Sequence, residues 1–131
     1  MRRILPIAAA LSLTPSPPVA AADDVASPEV HFVPMDEIVV PIIDSARTTG
    51  AMRLKIVLDA VDAAAAAEIA ADLPSLRETS LAAAIEFARL YASPLAPIDA
   101  ERLSAHMTEA LEARAKGVSH VLVVEVSAAQ V

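Results

Sequence analysis

The chain has 131 residues, enough for one domain, and carries ten Lys/Arg against 17 Asp/Glu for a net charge of −7. So acidic a surface repels phosphates and anionic headgroups, which argues against nucleic acid or lipid as a direct ligand. With no cysteine there is no disulfide, thiolate chemistry or cysteine metal site; with 56% apolar but only 2% aromatic residues, the core must be built from Leu, Ile, Val, Met and Ala.

Met1-Arg2-Arg3 is a basic start, followed by the apolar run Ile4 to Leu13 and then Pro15, Pro17 and Pro18. The small residues Ala20-Ala21-Ala22 come next, before Asp23-Asp24. Charge, short apolar run and small-residue site in that order describe a secretory signal peptide over residues 1–22. The run is about half the roughly 20 residues a transmembrane helix requires. Cleavage after Ala21 or Ala22 removes Arg2 and Arg3 and leaves eight Lys/Arg against 17 Asp/Glu. Export is therefore expected, with a polar linker over 23–29 and an α+β domain over 30–131.

Val30 to Ile43 is rich in Val and Ile but is interrupted by Pro34 and Pro41. Proline cannot donate to a ladder, so an edge strand or a strand broken in two is expected. Asp44 to Gly50 reads as a loop. From Ala51 to Val61 the pattern alternates, with Met52, Leu54, Ile56, Leu58 and Ala60 on one face and Arg53, Lys55 and Asp59 on the other. These two strands are expected to form a hairpin.

Asp62 is placed to cap an alanine-rich helix over 63–73. Pro74 ends it, and Ser75-Leu76-Arg77-Glu78 fits a capping box for a second helix reaching about Ala92. Its apolar stripe reads as Leu81, Ala84, Ile85, Ala88 and Tyr91, widened by Phe87 and Leu90. Pro94 and Pro97 mark a connection. Asp99 caps a third helix with Leu103, Met107, Ala110 and Leu111 inward, and Gly117 is expected as its C-cap. Val118 to Val131 closes the chain as a strand, with Leu122, Val124 and Val126 on one face and Val121 and Val123 on the other. A strand apolar on both faces is expected to be central or covered on its second side. The order strand, strand, three helices, strand predicts a two-layer α+β sandwich, a three-stranded sheet under three helices.

Residues able to do chemistry are scattered. His31, His106 and His120 share no metal-ligand spacing, although two strands can bring His31 near His120. Asp36-Glu37 is a carboxylate pair, but adjacent strand residues point to opposite faces, so strand-end solvation is expected. The serines at 75, 80, 93, 104, 119 and 127 lie in no nucleophile elbow, and two glycines do not build a phosphate loop. Glu125, inside an apolar strand, is expected to pair with Arg53 or Lys55. No catalytic, cofactor-binding or metal-binding residue is assigned. The long apolar strands offer an edge that either stays covered or recruits another chain, so self-association is expected.

Four segments carry a resemblance: Phe32-Val33-Pro34-Met35 with Ile38-Val39-Val40-Pro41-Ile42; Met52-Arg53-Leu54-Lys55-Ile56-Val57-Leu58; Leu73-Pro74-Ser75-Leu76-Arg77-Glu78; and Val118-Ser119-His120-Val121-Leu122, closing near Gln130. In order and spacing they resemble the periplasmic domain of the flagellar basal body-associated FliL family, from about Phe32 to Val131. The resemblance implies a stomatin-like (SPFH) fold, no catalytic residues and no cofactor. It also implies a periplasmic place at the inner membrane of the flagellar basal body, partnership with stator or basal-body proteins, and a role in motility. The chain departs from that family in having a signal-like run instead of a membrane-spanning helix, and Pro41 where the family often has Asn. An exported protein-binding or inhibitor module unrelated to the flagellum is the alternative.

Overall fold

The computed structural model of the chain describes residues 29–131. The expected signal peptide over 1–22, and the expected linker apart from Glu29, lie outside the described residues. Four strands and three helices follow in the order β1 (His31–Pro34), β2 (Ile38–Asp44), β3 (Arg47–Ala60), α1 (Ala63–Ala71), α2 (Leu73–Tyr91), α3 (Ala100–Arg114) and β4 (Val118–Gln130). This is the expected α+β sandwich, a sheet packed under three helices. The fourth strand appears because the first apolar run is broken in two at Met35–Glu37, three residues outside any strand.

β3 is the centre of the sheet. β4 pairs antiparallel with it from Ala60 back to Gly50. Both β1 and β2 pair antiparallel with β3 over stretches that β4 also covers. They must therefore lie end to end along the opposite edge of β3. The sheet is three strands wide.

The alternation on β3 is realised in full: Met52, Leu54, Ile56, Leu58 and Ala60 are buried, while Arg53 and Lys55 are exposed. The inward row meets Leu76, Phe87, Leu103, Met107 and Leu111, all buried, in one continuous core. Asp62 caps α1, its carboxylate accepting from Ala65 N–H at 2.7 Å, and Asp99 caps α3 by accepting from Arg102 N–H at 3.0 Å.

Several expectations are corrected. The loop over 44–50 contracts to a tight turn at Ser45-Ala46, with φ of 49° and 65°, and strand resumes at Arg47. Two positive φ values suit the right-handed twist of a two-residue hairpin. Neither residue is Gly or Asn, and left-handed backbone costs about 1–2 kcal/mol at an ordinary L-residue. Replacing Ser45-Ala46 by Asn-Gly is therefore expected to stabilise the domain by about 1 kcal/mol, read as a higher melting temperature. An unchanged or lower melting temperature would contradict this turn geometry.

The capping box at Ser75 does not form. α2 begins three residues earlier, with Asp72 at the N-cap position, because Pro74 at the first turn is preset for helix and loses no bond there. Ser75 Oγ instead accepts from Arg114 at 2.6 Å. The stripe of α2 is rotated from the expected one. Leu76, Ser80, Ala83, Ala84, Phe87 and Ala88 are buried, while Leu81 and Ile85 are 41% and 46% exposed. The alanines let the helix approach closely, and buried Ser80 satisfies its hydroxyl on Leu76 O at 2.7 Å. Gly117 is not a left-handed cap: α3 ends at Ala115 in extended backbone, and Gly117 has no positive φ. Its use is close packing, since a Cβ there would stand 2.8 Å from Ala65 Cβ.

β4 is an edge strand, not a central or doubly covered one. Register shifts between Lys55 and Ile56, so Glu125 and Val123 are paired and Val124 is extra. That bulge changes the parity of the strand. Val121 is buried and Val123 and Val126 half-buried, whereas Leu122 and Val124 are 40% and 66% exposed.

Candidate functional site

All three helices cover one face of the sheet. Among the described residues nothing covers the other. Cross-strand register sets out the rows of that bare face. Phe32, Asp59 and His120 form one row; Pro34, Val57 and Leu122 form the next. Lys55 and Glu125 follow, then Val39, Arg53 and Ser127, then Pro41, Ala51 and Ala129. Two apolar patches thus flank a charged belt. Phe32 is 50% exposed and Val39 45%, and it is their place in contiguous rows, not their exposure singly, that carries meaning.

The belt is internally neutral. Glu37 meets Arg53 at 3.4 Å and Glu125 meets Lys55 at 3.5 Å. The expected pairing of Glu125 is therefore made, with Lys55, its direct cross-strand neighbour. Exposed pairs of this kind contribute about 0–1 kcal/mol. Their larger effect is to leave a surface without a strong field.

Asp36 and Glu37 sit in the break between β1 and β2, not on a strand. The Arg77 guanidinium donates to the backbone carbonyls of both, at 2.8 and 2.9 Å. One α2 side chain thus holds the break in place, beside a shallow depression lined by Pro34, Met35, Leu73 and Pro74. The Glu37 carboxylate is committed to Arg53, so the two acids do not face each other across a cleft.

The histidines are not brought together. His31 lies opposite Ala60, on the helix side of the sheet, and His120 lies opposite Asp59, on the bare side. β3 separates the two. His106 packs its ring against Phe87, centroids 5.9 Å apart, and its Nε2 is buried without a hydrogen-bond partner among the described residues. Ser119 Oγ lies 2.8 Å from His120 Nδ1, but the two are chain neighbours at an exposed position. Among the described residues no cluster of three or more His, Cys, Asp or Glu is placed to hold a metal ion.

Three functional placements escaped the sequence reading. Arg77 is one. The others are Ser104 and Thr108, one helical turn apart on α3. Ser104 donates to Val121 O and Thr108 accepts from Val121 N–H, 2.9 Å for the latter. Two hydroxyls therefore cap the outer edge of β4 at Val121. A Ser/Thr pair at i and i+4 beside inward Leu103 and Met107 was the available signal, but only the docked helix shows what it meets.

No family model matches the chain, and no curated protein matches its sequence. No helix among the described residues is long and apolar enough to cross a membrane.

Proposed function

We propose that this protein is a non-enzymatic accessory component of a protein assembly, exported to the periplasm, and that the assembly is the flagellar basal body with its stator units. The observation that carries the binding role is the bare face of the sheet, where Phe32, Pro34, Val57 and Leu122 adjoin across three strands. Apolar rows rimmed by paired charges are suited to another protein's surface. The flagellar assignment is supported by the four ordered segments that resemble the FliL family. Two of them, Phe32 to Ile42 and Val118 to Gln130, are the outer strands of the sheet. Stator or basal-body proteins are the proposed partners, and the chain is proposed to self-associate.

Deleting the gene is expected to shrink swim rings on soft agar and to slow swimming in viscous medium, with recovery when the chain is supplied in trans. Phe32→Glu together with Leu122→Glu should fail to restore swimming while folding normally by circular dichroism. Both residues are exposed, so the fold does not depend on them. Unimpaired swimming of the deletion strain would end the flagellar reading. Capture of an unrelated periplasmic protein through the same face would then favour a separate binding or inhibitor module.

A further inference from the structure

The two edges of the sheet are treated differently by the sequence. One edge is β1 and β2, broken at Met35–Glu37 and carrying Pro34 and Pro41. Prolines and breaks are the usual means of keeping an edge from pairing. The other edge is β4. Its first half is closed at Val121, where Ser104 and Thr108 occupy the outward carbonyl and N–H. Val124 then bulges.

Beyond the bulge the protection stops. Val131 N–H donates to Thr49 O, which fixes the alternation of the antiparallel ladder. Ala129, Ser127 and Glu125 bond inward to β3, and the N–H and C=O groups of Val126, Ala128 and Gln130 point away from it. Among the described residues these outward groups meet no partner. The segment has no proline, and its middle residues, Ser127, Ala128 and Ala129, are small and uncharged. Alongside runs a groove of about 430 Å³, walled by Pro94, Leu95, Pro97 and Ile98. Leu95 is 78% exposed at its rim.

We propose that residues Val124 to Gln130 of β4 pair antiparallel with the same residues of a second copy, about a two-fold axis at Ser127. This rests on the self-association proposed above and gives it a place. The stretch is self-complementary in three respects. Val126 faces Ala128 of the other copy and Ala128 faces Val126, so every outward N–H finds a carbonyl. The bulge at Val124 ends the ladder of one copy where Gln130 of the other ends, so both strands stop together. Glu125 lies opposite Ala129, and the two copies of Glu125 are about 14 Å apart at the rise of a β-strand. Each is already held by its own Lys55, so no unpaired like charges meet. The result is one continuous sheet, with both bare faces on the same side.

A seven-residue ladder covers less surface than the roughly 800 Å² per partner of standard complexes, so association in the micromolar range is expected. The chain has no native cysteine, which makes Ser127→Cys a clean probe. Facing Cα atoms in a non-bonded antiparallel pair are about 4.5 Å apart, within disulfide reach. Mild oxidation should give a single disulfide-linked dimer for Ser127→Cys and none for Ser119→Cys, which lies on the capped half. Ala128→Pro removes an N–H that points away from β3, so each chain folds as before. It should weaken dimerisation by about tenfold or more, because one ladder donor per copy is lost. Light scattering across a concentration series reads the mass, and circular dichroism the fold. A monomer at all concentrations overturns self-association and this interface together. A dimer that tolerates Ala128→Pro, or in which Ser127→Cys fails to cross-link, overturns the interface alone and leaves self-association standing. Motility, read separately, bears on neither outcome.

Discussion

Phe87→Ala is expected to be among the most damaging single substitutions in the domain, lowering stability by about 3–5 kcal/mol. Phe87 is the one aromatic side chain in the buried core of the described residues and is only 1% exposed. It stands where α2 meets α3, with Tyr91 at 5.2 Å and His106 at 5.9 Å between ring centroids. The rest of the buried core is aliphatic apart from Ser80, and close-packed neighbours relax only partly into such a space. The cavity would therefore persist, and the buried Nε2 of His106 would gain a void beside it without gaining an acceptor. For a domain near 100 residues the melting temperature should fall by roughly 20 °C, since each kcal/mol shifts it by about 4–8 °C. The informative control is Leu81→Ala or Ile85→Ala on the same helix. Both residues are over 40% exposed, so each should cost under about 1 kcal/mol. If Leu81→Ala proved as costly as Phe87→Ala, the observed rotation of α2 would be wrong.

Gly50→Ala is expected to destabilise by about 1–3 kcal/mol, the usual range for forced overpacking. Propensity alone argues the other way, because glycine inside a strand is weaker than alanine by roughly 0.5–1 kcal/mol. The close approach of neighbours decides between these effects. A Cβ on Gly50 would collide with the carbonyl oxygen of Ala129 on β4 and stand 2.7 Å from Pro94 Cβ. Ala129 O is backbone, held in a ladder, and cannot rotate away as a side chain would. Relief requires β3 and β4 to part near the Thr49–Val131 bond or the 92–99 connection to lift. Urea unfolding would register this as a lower midpoint at unchanged slope. A raised midpoint would mean that the two strands and the loop have room to spare.

Local features that need only near neighbours were legible in the sequence. Alternation over Met52 to Ala60 gave the strand and its buried face, though not its central place, because a strand has period two whatever it packs against. Asp62 and Asp99 announced their helices, since a cap bonds within three residues of itself. The α+β order followed from the sequence of such elements. Pro34 and Pro41 marked the weak edge, and Glu125 pointed to its cation.

What tertiary structure alone decided was every choice between locally equal alternatives. Helical periodicity allowed two apolar arcs on α2, and close packing through Ala83, Ala84 and Ala88 chose the one that leaves Leu81 and Ile85 outside. The bulge at Val124 comes from pairing with β3, so it reversed the faces of half of β4 without any sign in the residues themselves. Whether β4 was central or at an edge depended on where β1 and β2 docked, more than 70 residues away in the chain. The same is true of the candidate site. Its side chains were all visible as letters, but a bare face and an unpaired edge are properties of what has been placed beside a strand, and a sequence carries residues without carrying their neighbours.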